Sequence, residues 1–186
     1  MIAWVTEITY QEIENILPSI YEEGRMPLVL FLDNVTDVRN MGAIARTAEC
    51  AGVDAIVLPV RGSAMINSEA IKTSAGALYK IPVCRTADPK KTIGFLKSSG
   101  LQIVAATEKG SREYTGTSLC EPVALLLGSE GRGISPEILN LADEQIRIPL
   151  HGDIESLNVS VTAGIILFEI IRQRSLQPGT GNDDEE

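Results

Sequence analysis

Along the chain, short and nearly continuous apolar runs alternate with longer segments in which apolar residues recur at helical spacing. Runs rich in Val, Ile and Leu are typical of strands that are covered on both faces, as the strands of a parallel sheet are. The alternation therefore predicts an α/β fold in which helices flank a mostly parallel sheet. The predicted strands are 28–32, 55–59, 81–84, 101–106, 123–128 and 145–150.

Helix starts are marked by residues that favour the N-cap position, two of them followed by proline at the first helical position. The predicted helices are 41–51 after Asn40, 68–78 after Asn67, one that starts at Asp88-Pro89, one that starts at Ser135-Pro136, and a last one at about 158–174. In the last helix, Val161, Ile165 and Phe168 follow the helical period. This helix offers more apolar surface than one layer of sheet needs, and we expect the surplus to face a second subunit.

The composition fits one globular domain, since the 186 residues are 44% hydrophobic and 22% charged. The start of the chain lacks the pattern of a signal peptide, and no stretch approaches the roughly 18 apolar residues of a membrane span. Three cysteines without CxxC spacing argue against a disulfide framework and a zinc knuckle, which makes a reducing cytoplasm the expected location. His151 is the only histidine, which argues against a histidine-based triad and against a multi-histidine metal site.

The charge of the chain limits how it can bind nucleic acid. The formal net charge is −9, and the acids at 183–186 supply part of it. We expect residues 175–186 to form a disordered acidic tail, because Pro, Gly and acidic residues bury little surface. An acidic chain with 4% aromatic residues is a poor candidate for broad nonspecific binding or for a base-stacking platform. A local basic patch should make any RNA contact, and its candidates are Arg39, Arg46, Arg61 and Arg132.

Sequence motifs narrow the function further. The glycine-rich stretch GSEGRG (128–133) lacks the GxGxxG spacing of a dinucleotide-binding turn, and the sequence contains no GxxxxGK[ST] phosphate loop. Three other stretches are distinctive in their order and spacing: LDNVTDVRNMGAIARTAECAGV (32–53), LLLGSEGRGIS (125–135) and IRIPLHGDIESLNVSVTAGIILFEIIRQR (146–174). Together they resemble the three motifs of the SpoU (TrmH-like) family of RNA ribose 2′-O-methyltransferases.

The resemblance extends over residues 28–174, which we therefore expect to form the catalytic domain. It implies a SPOUT fold with a C-terminal deep trefoil knot, S-adenosylmethionine as methyl donor, a homodimer with its sites near the interface, and neither a metal nor a membrane partner. Residues 61–83 look most like the branch that methylates a guanosine ribose in large-subunit rRNA. The alternatives are a tRNA ribose methyltransferase of the same family and a non-catalytic RNA-binding or assembly factor with the same fold.

Two departures from the family pattern change the expectations. Val38 stands where the family usually has proline, which removes one restraint on the loop of the first motif. Residues 1–27 resemble the linker that follows a small N-terminal RNA-binding domain in this branch, but such a domain does not precede them here. We therefore expect either that the chain is a fragment or that another element recognises the RNA.

The second and third motifs supply the expected cofactor pocket. Gly128, Gly131 and Gly133 follow a predicted buried strand, where a turn needs positive φ or a backbone must approach a ligand closely; an ordinary tight turn would explain them as well. Backbone and apolar contacts suit an adenine ring, although apolar residues there are equally suited to the core. The resemblance assigns cofactor binding to Thr107, Leu127, Gly128, Ile148 and Leu157.

The reaction centre that the resemblance implies is polar. It comprises Asn40, Arg46, Glu130, Ser156 and Asn158. By the same resemblance, Asn158 orients groups at the centre and Ser156 contacts cofactor or substrate. Glu130 is then an acid that holds Arg46 or Asn158. Simpler roles are open from the residues alone, since Ser156 and Asn158 also suit helix capping and Glu130 also suits a solvated loop.

Arg46 is the only cation in the predicted helix 41–51, and it lies about 200° around that helix from Ile44. Methyl transfer to a ribose hydroxyl requires in-line placement and loss of a proton from a weakly acidic group. A guanidinium beside the adjoining phosphate can hold the ribose bidentately and favour the developing alkoxide. We prefer this role to proton acceptance, because a guanidinium is not deprotonated in proteins. A solvent-facing Arg46 paired with Glu49 is the simpler alternative.

Overall fold

The computed structural model describes residues 8–177, which contain seven strands. The strands are β1 Leu28–Asp33, β2 Ala55–Pro59, β3 Val83–Thr86, β4 Gln102–Ala106, β5 Arg112–Glu113, β6 Val123–Gly128 and β7 Glu144–Arg147. They form one sheet in the order β3-β2-β1-β6-β4-β7-β5, and every pairing is parallel. The predicted fold class and its six predicted strands are confirmed, with bounds that shift by up to a few residues. The sequence pattern missed β5.

Helices cover both faces of this sheet. They are α1 Ile13–Glu22, α2 Val38–Cys50, α3 Ser68–Thr73, α4 Pro89–Ser98, α5 Pro136–Leu139 and α6 Val159–Ser175. Side chains of β1 alternate between two apolar clusters, because successive residues of a strand point to opposite faces. Leu30 belongs to the cluster with α2, α3 and α6, whereas Phe31 belongs to the cluster with α1, α4 and α5.

Helix α2 begins earlier than the sequence pattern predicts. The Oδ1 atom of Asp37 accepts hydrogen bonds from the backbone N–H groups of Arg39 (2.7 Å) and Asn40 (3.1 Å), so Asp37 is the N-cap. The prediction that Asn40 caps this helix is therefore wrong. Because Asp37 satisfies the first backbone donors, the amide of Asn40 in the first turn is available for other contacts.

Helix α3 is shorter than the predicted 68–78. Asn67 caps it as predicted, and its Oδ1 accepts from two backbone N–H groups. The helix ends at Thr73 because the chain turns left-handed soon afterwards, with φ of 50° at Ala75 and 85° at Gly76. A short 3-10 helix, Ala77–Tyr79, replaces the last predicted turn.

The predicted linker-like segment, residues 1–27, contains α1. Ile13, Leu17 and Ile20 of this helix are buried in the same apolar cluster as α4. Just before the helix, Gln11 forms an isolated parallel bridge with Cys84 of the edge strand β3. Residues 1–7 and most of the predicted acidic tail, 178–186, lie outside the described residues.

Helix α6 has one buried and one exposed apolar face. The buried face packs on α2 and β6. On the other face, Val161 is 48% exposed and Phe168 is 52% exposed. The helix therefore carries more apolar surface than its own sheet covers, as the sequence predicts. The buried apolar residues of α6 are Val159, Ala163, Ile166, Leu167 and Ile170.

Arg174, near the end of α6, connects that helix by hydrogen bonds to the amino ends of β1 and β6. Its Nη1 donates to the carbonyl of Met26 (3.0 Å), and its Nη2 donates to the carbonyls of Pro27 (3.1 Å) and Glu121 (2.9 Å). Burial lowers the pKa of Arg174 from its ordinary value, because desolvation disfavours the charged form. The guanidinium still stays charged, as arginine does in proteins.

Within residues 8–177, no helix is long and apolar enough to cross a membrane. The trefoil knot that the family resemblance implies stays a prediction.

Candidate active site

The carboxyl ends of β1 and β6 lie side by side in the middle of the sheet, where Asp33 is in register with Gly128. Open parallel sheets bind their ligands at this edge. Residues 34–37 lead from β1 to α2, and residues 129–135 lead from β6 to α5. The two loops are linked, because the backbone N–H of Ser135 donates to Oδ2 of the buried Asp33 at 2.7 Å.

The turn after β6 folds back on its own strand. Ser129 and Gly133 form an antiparallel bridge, and Gly133 has a left-handed φ of 65°. A Cβ atom on Gly128 would lie 2.0 Å from the carbonyl carbon of Gly133, so only glycine fits at position 128. Close packing of backbone on backbone therefore explains this glycine, and its predicted contact with the cofactor stays a prediction. The packed turn carries Glu130 on its outer side.

Three side chains from three separate elements meet at this edge, and we call them the Asn–Glu–Asn cluster: Asn40 of α2, Glu130 of the turn, and Asn158 before α6. Nδ2 of Asn40 donates to Oε1 of Glu130 at 3.1 Å. Nδ2 of Asn158 donates to the same carboxylate oxygen and to Oδ1 of Asn40, the latter at 3.1 Å. The Glu130 carboxylate thus orients both amides.

Asn158 has a second role as the N-cap of α6. Its Oδ1 accepts from the backbone N–H of Ser160 (2.9 Å) and from the Ser160 hydroxyl (2.5 Å). Because the carbonyl end of the amide is bound to the helix, its NH₂ end is directed into the cluster. The capping role and the site role that the sequence suggested for Asn158 therefore coexist.

A polar cavity of about 470 Å³ lies on one side of the cluster. Asn34, whose φ is 57°, forms part of the wall of this cavity and lies against Gly62. A Cβ atom at position 62 would come within 2.9 Å of Oδ1 of Asn34. The backbone N–H of Ala64 donates to the carbonyl of Val35 at 2.8 Å and holds the loop after β2 against the loop after β1. The lining residues are 34–37, Asn40, Gly62, 129–132 and Val159.

A second, smaller pocket of about 40 Å³ is lined by Leu157, the residue before Asn158, and half of its lining residues are apolar. Thr107, Ile148 and Leu157, three of the predicted cofactor residues, line it together with Glu108, Leu150 and Thr162, which the sequence motifs did not indicate. Leu127, also predicted, is buried in the core beneath the sheet edge. The consecutive residues Leu157, Asn158 and Val159 belong to the small pocket, the cluster and the polar cavity in turn.

Two predicted site residues are not part of the cluster. Arg46 lies on the exposed side of α2 and lines a separate groove with α3. It makes no salt bridge within residues 8–177, and Glu49, its suggested partner, pairs instead with Lys80 at 3.1 Å. Ser156 is partly exposed, and it is Ser160 whose hydroxyl contacts Asn158.

Metal-binding groups of three or more His, Cys, Asp or Glu side chains are absent from the part of the chain that the structure describes. His151 is exposed on the segment between β7 and α6, outside the linings of both the polar cavity and the small pocket. The functional groups available at the cluster and its two cavities are therefore amides, the carboxylates of Asp37, Glu108 and Glu130, the guanidinium of Arg132, hydroxyls and backbone groups.

Comparison with known proteins places this site in a family. The sequence profile of the SpoU rRNA Methylase family matches residues 27–168. The chain belongs to this family. The 23S rRNA (guanosine-2′-O-)-methyltransferase RlmB of Yersinia pestis, a SpoU-type relative, is 37% identical over 164 residues, which are 88% of this chain and 67% of that protein.

Solved structures agree with the family and the fold. An AdoMet-bound rRNA methyltransferase from Sinorhizobium meliloti superposes with a TM-score of 0.79 at 32% identity, over 88% of this chain and 61% of that one. An RNA 2′-O ribose methyltransferase superposes with a TM-score of 0.74 at 31% identity, over 81% of this chain and 57% of that one. The SpoU-family chain described here thus spans about three fifths of these solved chains. The predicted family is confirmed.

Proposed function

We propose that this chain transfers a methyl group from S-adenosylmethionine to a ribose 2′-hydroxyl of RNA, and that the target is a guanosine of large-subunit rRNA. The observation that carries the proposal is the Asn–Glu–Asn cluster, which borders the polar cavity and adjoins the small pocket through Leu157, the residue before Asn158. The reaction requires two ligands that meet at one point, and the sequence Leu157-Asn158-Val159 joins the two spaces.

The small pocket fits S-adenosylmethionine by its chemistry. Ile148, Leu150 and Leu157 offer apolar contact to an adenine ring, and the Thr107 hydroxyl offers a hydrogen bond. At about 40 Å³ the pocket holds little more than a water molecule, so we expect its walls to move outward on binding. The segment 151–155 is exposed throughout and joins two of these walls, which makes it the part that can move.

When bound, S-adenosylmethionine supplies a methyl group on an electrophilic sulfonium. The chain then has to place the ribose and help to remove its proton. We assign the positioning to the amides of Asn40 and Asn158, whose orientations Glu130 fixes. The polar cavity beside them takes the nucleotide.

Arg46 requires a different explanation, because within one chain it lines the groove beside α3 and not the polar cavity. The exposed apolar face of α6 supports a homodimer, and α6 packs on α2, the helix of Arg46. We assign Arg46 to the site of the second subunit, where its guanidinium holds the phosphate beside the target ribose and favours the developing alkoxide.

Mixed dimers test this assignment. Arg46→Ala and Asn158→Ala should each abolish transfer alone. If one site takes its residues from two chains, refolding the two variants together should restore about a quarter of wild-type activity, since half of the dimers then contain one complete site. No recovery in the mixture would place Arg46 at the site of its own chain.

The rRNA target is favoured over tRNA because the Yersinia pestis relative is named for 23S rRNA. We expect the protein to act in the cytoplasm on a target of either kind. Labelled methyl transfer to an unmodified 23S rRNA transcript and to a tRNA pool, followed by mapping of the methylated nucleotide, tests the proposal. Label at a guanosine ribose of the 23S transcript supports it, and label in tRNA alone overturns the rRNA assignment. Cofactor binding without transfer to either RNA would support a non-catalytic assembly factor.

A further inference from the structure

Most cationic side chains of this protein are already engaged by the protein itself. Among residues 8–177, the salt bridges of lysine and arginine include Arg39 with Glu69 at 2.7 Å, and Arg85 stacks on a tyrosine ring. The cations of this part of the chain that make no salt bridge, side-chain hydrogen bond or ring contact are Arg46, Arg61, Lys72, Lys91, Lys109 and Arg132. These are the cations that remain available to bind a ligand.

Two of them, Arg46 and Lys72, face one groove between α2 and α3. The groove has a volume of about 750 Å³, and Ser68, Glu69 and Thr73 complete its lining. The only acid of the lining, Glu69, is bound by Arg39. The charges of Arg46 and Lys72 are therefore not compensated within the groove, although the chain as a whole has a net charge of −9.

The walls of this groove are fixed by close packing of the two helices. A Cβ atom on Gly42 of α2 would lie 2.6 Å from the carbonyl oxygen of Ala70 and 2.7 Å from Cβ of Thr73 in α3. The helices are thus in backbone contact, which glycine alone permits. As a result, Arg46 and Lys72 are presented from two helices that are packed directly against each other. Lys72 lies in the last turn of α3, where the helix dipole favours its charge.

We propose that this groove, defined by Arg46, Ser68, Lys72 and Thr73, binds the sugar-phosphate backbone of the substrate RNA, with Lys72 on the phosphate next to the one that Arg46 holds. Lysine, arginine and the hydroxyls of serine and threonine are the side chains that contact phosphates in protein–RNA complexes. The lining contains no large apolar side chain, so a peptide would find nothing to bury as an anchor. The inference rests on the proposed RNA methyltransferase function.

The same observations revise the basic patch that the sequence suggested. Arg39 was included there, but its guanidinium is held by Glu69 at the side of the groove. Lys72 was left out, and it shares the groove with Arg46. Position along the chain does not reveal which cations the fold leaves unpaired.

The salt dependence of RNA binding tests the groove. Binding of an unmodified 23S rRNA transcript is measured over a series of salt concentrations for the wild type, Lys72→Gln, Lys72→Arg and Lys91→Gln. We expect Lys72→Gln to bind more weakly and to lower the slope of log K against log salt by roughly 0.7–0.9, the value for one lost phosphate contact. Lys72→Arg should keep the wild-type slope. Lys91, an exposed lysine in the first turn of α4 that makes no salt bridge within residues 8–177, is the matched control, and Lys91→Gln should change nothing.

The outcomes separate this inference from the proposed function. An unchanged slope for Lys72→Gln, or equal changes for Lys72→Gln and Lys91→Gln, overturns the groove assignment even if the wild type methylates the transcript. A lowered slope for Lys72→Gln alone, in a wild type that transfers no methyl group, keeps the groove and overturns the methyltransferase function. Binding of S-adenosylhomocysteine should be the same for all four proteins, because none of these lysines lines the small pocket.

Discussion

The two ends of β1 and β6 use polar side chains in opposite ways. At the amino end, Arg174 donates to three backbone carbonyls, those of Met26, Pro27 and Glu121, and so satisfies the chain where the strands begin. At the carboxyl end, the side chains of Asn40, Glu130 and Asn158 bind mainly one another. At the amino end, one guanidinium completes the hydrogen bonding of the backbone. At the carboxyl end, three side chains form a cluster that the hydrogen bonding of the sheet does not require.

This difference indicates that the amino end of the two strands serves the stability of the fold and that their carboxyl end serves function. Carbonyls that lose their partners on folding destabilise the fold, so a residue that satisfies three of them contributes to stability. Apart from the cap that Asn158 supplies to α6, a cluster of side chains that orient one another contributes little to folding, and it costs the entropy of three ordered side chains. Such an arrangement is explained by a ligand, and changes at the two ends should therefore have opposite consequences.

The largest effect is expected at the carboxyl end. Glu130→Ala removes the acceptor that orients both amides, and we expect methyl transfer to fall about a thousandfold, in the range for loss of one oriented catalytic group. Thermal stability and S-adenosylhomocysteine binding should stay near wild type. Glu130→Gln keeps one acceptor oxygen and should retain more activity. Single-turnover transfer and calorimetry are the measurements, with Glu137→Ala, which changes an exposed acid paired with Lys90, as control.

At the amino end of the two strands, we expect a change to lower stability and to leave methyl transfer nearly unchanged. Arg174→Met keeps an unbranched apolar stem but leaves three carbonyls without their donor, and we expect the free energy of unfolding to fall by about 3 kcal/mol. Transfer per folded molecule should change less than twofold, roughly the scatter expected for a residue remote from the site. Arg112→Met, which removes an exposed pair with Glu144, should cost less than about 1 kcal/mol in urea unfolding. Loss of cofactor binding by folded Arg174→Met would contradict the separation of the two ends.

The smallest effect is expected for Glu169, which lies on the same helix, α6, as Arg174. Hydrogen bonds from Arg172, and a further one from Gln173, lower the pKa of its carboxyl against the opposing effect of burial. A lowered folded-state pKa stabilises the fold above the unfolded value, near 4.3, and this contribution is lost as pH falls through the folded value. Glu169→Gln should therefore reduce stability at pH 7 by less than about 1 kcal/mol.

The pH dependence of stability tests whether the charge of the Glu169 carboxylate causes this effect. Urea unfolding of wild type and Glu169→Gln should give different midpoints at pH 7, and the midpoints should converge as pH is lowered below about 4. A difference that persists unchanged at low pH would mean that packing, and not the carboxylate charge, is responsible.

Much of the fold could be predicted because the strands are buried on both faces. A continuous apolar run such as that of β6 identifies a central strand without further information. The edge strand β5 has two exposed residues, Arg112 and Glu113, so its sequence carries no apolar signal. The start of α2 was misplaced because Asp37 and Asn40 are both good capping residues, and only the hydrogen bonds of the folded chain distinguish them.

The site was predictable as a set of residues but not as an arrangement. Asn40 lies 90 residues before Glu130 and 118 residues before Asn158, and their meeting depends on β6 lying beside β1. Asp33 was missed because an acid at the end of a strand gives no sign that it will bind the backbone of Ser135, 102 residues later. Lys72 was missed for a related reason, since only packing decides which surface charges stay unpaired.

The amide of Asn158 has a consequence for how this protein can change over evolutionary time. One side chain both starts the longest helix and directs a donor into the site. A substitution at this position is therefore selected twice, once for folding and once for chemistry, and the residues that satisfy both demands are few. Ser or Asp would keep the cap but lose the NH₂ donor, and Gln would keep the amide but place it one carbon farther from the helix. We therefore expect descendants of this chain that abandon the chemistry to lose Asn158 to another capping residue first.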